Sequence, residues 1–109
     1  MSGPPLRERL RAQVMRAGWA DLAPHFARGV LLVAQPELDL LEAGVAIASD
    51  DQGAVSRWLD DGQLHRATTA DGIAWADEDP WFQLLILQPW LLVQRLPPEQ
   101  APSPPSERS

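Results

Sequence analysis

A chain of 109 residues and 12.0 kDa allows one hydrophobic core and excludes a two-domain enzyme with an interdomain cleft. Nine arginines, with no lysine, face fifteen acids for a net charge of −6, a balance that argues against nucleic acid, whose backbone is held by basic contacts. The absence of cysteine excludes disulfides, thiolate metal sites and thiol nucleophiles.

No apolar run approaches the roughly 20 residues a bilayer span requires, and Met1 to Pro5 lacks the charged-then-apolar order of a signal peptide. No membrane contact and a cytoplasmic location are expected. The missing Lys, Asn, Tyr and Cys, with abundant Ala, Leu, Arg, Asp and Pro, read as GC-rich codon bias and suggest a bacterial source.

Residues 1–18 are expected to form an N-terminal amphipathic helix. Leu6, Leu10 and Val14 recur at four-residue spacing, and Arg7, Arg9, Arg11 and Arg16 lie between or beside them. Residues 19–96 are the expected α+β core. Trp19, Leu22 and Phe26 mark a short helix that Gly29 stops. Val30 to Val33 is an apolar run without helical phase, bounded by Gly29 and Pro36, and predicts a buried strand.

Residues 38–48 are open to two readings. Leu41, Ala43, Val45 and Ile47 alternate with Glu42, Gly44, Ala46 and Ala48, and this period of two, with Gly44 in mid-segment, favours a strand paired back onto Val30 to Ala34; the Leu and Ala content also permits a helix. Asp50 or Asp51 then caps a helix carrying Val55, Trp58 and Leu59 on one face and ending at Gly62. Leu64 to Ala67 predicts a short edge segment, and Thr68 with Asp71 a partial capping box ahead of Ile73 and Trp75. The acidic Asp77, Glu78, Asp79, Pro80 run breaks that helix. Trp81 to Val93, interrupted by Pro89, predicts either two strand pieces in a tight hairpin or one kinked strand. Residues 97–109 hold five prolines and no large hydrophobe, the composition of a disordered tail. The expected architecture is a single α+β domain: a small, mainly antiparallel sheet packed against about four helices.

Trp19 with Phe26-Ala27-Arg28-Gly29, then Leu38-Asp39-Leu40 with Asp50-Asp51, then Pro89-Trp90-Leu91-Leu92-Val93-Gln94 together resemble a family of small bacterial proteins known as domain of unknown function 2288. The segment from Trp58-Leu59 through Gly62-Gln63-Leu64 to Trp75 is similar to that family's middle, so the resemblance covers roughly Trp19 to Gln94. It implies a genuine fold, supplies no activity, cofactor or catalytic residue to carry over, and leaves function open.

The chemistry-bearing residues are few. His25 and His65 are the two imidazoles, and with Asp50 and Asp51 they are the material for a small metal-assisted or acid–base hydrolase. Against this, His-x-x-x-His spacing is missing, and two carboxylates ahead of a helix are what capping and the helix dipole place there. Asp60-Asp61-Gly62 reads as a solvated turn, and Asp77-Glu78-Asp79 lacks the spacing of a calcium loop. No cofactor and no metal site are expected. The reading preferred is a noncatalytic protein-interaction module, joined to an unknown partner or a second copy through Trp81, Phe82, Trp90 and Leu92, which belong to the most apolar stretch of the chain. Residues 29–96 carry three arginines against eleven acids, −8, whereas residues 1–28 carry +3, so an acidic surface that occupies a basic partner is a further reading.

Overall fold

The computed structural model describes residues 5–97. The proline-rich tail expected from residue 97 lies, from residue 98 on, outside the described residues. The elements in chain order are α1 (Leu6–Gln13), β1 (Met15–Gly18), α2 (Trp19–Ala27), β2 (Leu31–Ala34), α3 (Leu40–Ala48), α4 (Gln52–Asp61), β3 (Leu64–Arg66), α5 (Thr69–Glu78), β4 (Trp81–Leu87) and β5 (Trp90–Arg95). The five strands form one sheet in the order β1-β4-β5-β2-β3. All neighbours are antiparallel except β2 and β5, which run parallel with Leu32 opposite Leu92.

Helices cover both faces of the sheet, and strand alternation divides the side chains between two cores. Leu32, Ala34, Leu64, Leu85 and Leu92 face α1, α3 and α4, where they meet Leu10, Leu40 and Ala43. Leu31, Val33, Phe82, Leu84 and Val93 face α2 and α5, where they meet Leu22 and Trp75. The second core is aromatic: Trp75 makes an edge-on contact with Phe82 at 5.0 Å between centroids, and Trp19 stands 5.5 Å from Phe26 and 5.7 Å from Trp75. Such edge-to-face pairs each add about 0.5–1.5 kcal/mol beyond the area they bury.

Three expectations are corrected. The first helix stops at Gln13 rather than near Gly18, because Met15–Gly18 becomes an edge strand that pairs Ala17 with Phe82. Residues 40–48 form a helix instead of a strand, which makes five helices among the described residues. Asp39 caps this helix, its Oδ1 accepting from the Leu41 amide at 2.8 Å, and Glu42 follows in the first turn. Gly44 is buried against the sheet, where an added Cβ would meet Leu85 Cδ1 at 2.7 Å. It is the point of closest approach of α3 to the strands. Finally, β2 does not pair with residues 38–48 but lies between β5 and β3.

The remaining elements follow the sequence reading. Thr68 and Asp71 complete a capping box, Gly62 ends α4 in the left-handed region at φ 77°, and β4 and β5 form a hairpin through Gln88 and Pro89, with Leu87 paired to Trp90. Gln94 is the one buried polar residue of the core among the described residues. Its amide nitrogen donates to the Gln35 carbonyl at 2.8 Å and to that of Leu38, and its oxygen accepts from Gln83 Nε2 at 2.8 Å. This side chain fixes the turn that launches α3.

Helices α2 and α5 meet where Gly72 touches the Phe26 ring, and an alanine Cβ at 72 would fall 2.6 Å from Phe26 Cζ. The ring is held between Trp19 and Trp75. Gly72→Ala is therefore expected to destabilise the domain by about 1–2 kcal/mol, overpacking outweighing the better helix propensity. Urea denaturation measures the loss, and Phe26→Leu in the same chain should recover part of it.

Candidate functional site

The α3–α4 turn, Ser49 to Asp51, positions one wall of a groove on the α1/α3/α4 face. Asp51 caps α4 by accepting from the Ala54 amide at 3.1 Å, and its own amide donates to the Ala46 carbonyl at 2.8 Å. Asp50 sits beside it in left-handed backbone at φ 59°, a conformation that aspartate tolerates better than most residues.

Helix α4 has Val55 and Trp58 half-buried, Leu59 48% exposed, and no fully buried residue. Its apolar side does not close onto the sheet, leaving a groove of about 420 Å³ between them, within the roughly 300–1,000 Å³ of small-ligand and anchor-residue pockets. Leu32, Leu64 and Trp90 from the strands and Ile47, Val55 and Leu59 from the helices give it an apolar lining. Asp50, Asp51, Gln52, Ser56 and Arg66 supply the polar groups.

The polar groups differ in how far they are already engaged. Arg66 Nη2 donates to the Gly29 carbonyl at 2.8 Å, and its guanidinium lies 5.3 Å from the centre of the Trp90 ring, in cation–π range. It thereby holds the indole in place at one end of the groove. Among the described residues, neither Asp50 nor Asp51 has a cationic side chain within 4.0 Å.

The residues singled out from the sequence separate into two groups. Trp90 lines the groove together with Asp50 and Asp51. Phe82 and Leu92 do not reach any surface: both are completely buried, one in each core, so a partner of the folded domain cannot touch them. They belong to the inner strands β4 and β5, whose edges are already paired. Trp81, at the start of β4, is 36% exposed and does not line the groove. Leu59 and Arg66 were missed as site residues; the exposed apolar residue on a half-covered helix was the available signal for Leu59, while nothing local pointed to Arg66.

The histidines are not with the aspartates. His65 is paired across β3 to Val33, which faces the α2/α5 core, and its Nε2 lies 3.0 Å from Asp71 Oδ2. His25 is on α2, in the same layer, its Nδ1 buried without a hydrogen-bond partner among the described residues. The sheet stands between both imidazoles and Asp50 and Asp51, so the acid–base or metal-assisted hydrolase drawn from these residues has no common cavity. No group of three or more metal-ligating side chains occurs among the described residues, and no helix there is long and apolar enough to cross a membrane.

This architecture defines a three-layer domain, a mixed five-stranded sheet between two helical layers, with an apolar groove under an incompletely packed helix. The chain belongs to the family described as Protein of unknown function (DUF2288), whose model matches residues 5–95. The match extends the resemblance noted from Trp19 onward to include α1 and β1. It is similar to the NMR solution structure of PA1075 from Pseudomonas aeruginosa, with 30% sequence identity, a TM-score of 0.74, and coverage of 93% of this chain and 100% of that one. No curated protein matches the chain.

The His65 contact generates a pH prediction. Burial pushes the Asp71 carboxyl up, but the Thr68 amide at 2.9 Å, the His65 ring and the Thr68 hydroxyl more than offset this and hold it below the ordinary value of 3.8. A depressed carboxylate contributes stability that is present above 3.8 and is lost as the pH falls through the lower folded value. The urea midpoint of the natural chain should therefore drop more steeply than that of Asp71→Asn across that acidic range.

Proposed function

We propose that this protein is a noncatalytic interaction module that receives apolar side chains of a partner protein in the groove between α4 and the sheet. The observation that carries this reading is the state of α4. Every other helix among the described residues has at least one buried residue, whereas α4 has none and leaves Leu59 half exposed above an apolar floor. Covering such a surface is favourable by roughly 25 cal/mol per Å² of apolar area removed from water, which makes it a place where a partner gains affinity.

The groove's polar groups suit recognition better than turnover. Asp51 serves as a helix cap and Arg66 as a clamp on Trp90, and none of the groove residues is an imidazole. Trp90 is the one interface candidate from the sequence that lines this groove, and an indole already held by a neighbouring guanidinium loses little entropy on binding.

A photo-reactive amino acid placed at position 59, with a control at Ile73, tests the reading in the native cell. Ile73 is 67% exposed but lies on α5, in the opposite layer. A discrete adduct, with another protein or with a second copy of the chain, is expected from position 59 and not from 73. Identical patterns from both positions, or no adduct at 59, would overturn it.

A further inference from the structure

We infer that the segment received by the groove is basic and apolar: large apolar side chains flanked by arginine or lysine. This rests on the docking reading above and adds the chemistry of the occupant. Charge complementarity carries it. The wall formed by α4 begins at Asp50 and Asp51, and both line the groove. Both are exposed, and among the described residues neither has a cationic side chain within 4.0 Å.

Of the two arginines nearby, Arg66 is engaged by the Gly29 carbonyl and the Trp90 ring. Arg57 falls two positions from both Val55 and Leu59, on the side of α4 turned away from the groove residues Gln52, Val55, Ser56 and Leu59. An occupant thus meets an apolar floor with two carboxylates at the start of one wall, against the single and already engaged guanidinium of Arg66. Acidic segments are repelled there, and neutral apolar ones leave the carboxylates unmatched.

Two synthetic peptides separate the possibilities: an amphipathic peptide of leucine and lysine with leucines at helical spacing, and its counterpart with glutamate in place of every lysine. Amide chemical-shift mapping on the full chain locates each, and titration gives its affinity. The lysine peptide is expected to shift Val55, Leu59 and the Trp90 indole, to weaken as salt rises, and to bind Asp50→Asn/Asp51→Asn about five- to tenfold more weakly. Asparagine remains a good cap and tolerates left-handed backbone, so this variant should keep its fold, which the amide spectrum verifies. Equal binding of both peptides, preference for the glutamate peptide, equal affinity for the double variant, or no binding of either peptide would overturn the inference. Adducts from position 59 made with an acidic or neutral segment would overturn it while leaving the docking reading intact. Absence of those adducts would remove both.

Discussion

The structure depends on the burial of β2 and β5 on both faces. These two strands lie side by side in parallel near the middle of the sheet, and every residue of β2 is buried. A strand covered on one face can alternate apolar with polar, but one covered on both cannot. Leu31 and Val33 must satisfy the aromatic core while Leu32 and Ala34 satisfy the aliphatic one. The rest of the domain is arranged to keep water from both sides of this pair, and a parallel pair in turn requires the long connection that the helices provide.

The two layers solve that task differently. On the α2/α5 face, rigid rings interlock and a glycine lets the helices approach. On the other face α3 takes the central place, drawn onto the sheet through Ala43, Gly44 and Ala46, small residues that are all buried. With α3 so close and α1 beside it on the N-terminal side, α4 is left to cover the β2–β3 end of the sheet from a short turn, and it does so incompletely. The groove is a consequence of that packing order. Its rim acquires charge because the turn residues Asp50 and Asp51 also have to begin a helix.

The same sheet separates the chain's chemistry. Both imidazoles are in one layer, where His65 joins the capping network of α5, and the paired aspartates are in the other. Side chains that a linear reading could assemble into an acid–base set are therefore kept apart by the most heavily packed part of the molecule. What the α4 side retains is apolar surface, an indole clamped by a guanidinium, and carboxylates that have no cationic partner among the described residues.

Much of this was legible in the sequence where the signals are local. The cap at Thr68 and the stop at Gly62 stand where they were expected, Asp51 is the one of the two candidate aspartates that caps α4, the buried strand is shifted by one residue to Leu31–Ala34, and of the two readings at Pro89 the hairpin is the one formed; each depends on a few adjacent residues. The α+β class and the family resemblance were legible as well. The strand reading of residues 38–48 failed because alternation over nine residues does not distinguish a strand from a helix whose buried face is made of small side chains, although Asp39 and Glu42 already carried the spacing of a helix start. Strand β1, the parallel pairing of β2 with β5 and the burial of Phe82 and Leu92 required the assembled fold. So did the meeting of Trp90, Arg66 and Asp50. Local sequence determines backbone preference through capping, sterics and periodicity; which apolar groups are covered, and which charges are left unpaired, is decided by contacts between segments tens of residues apart.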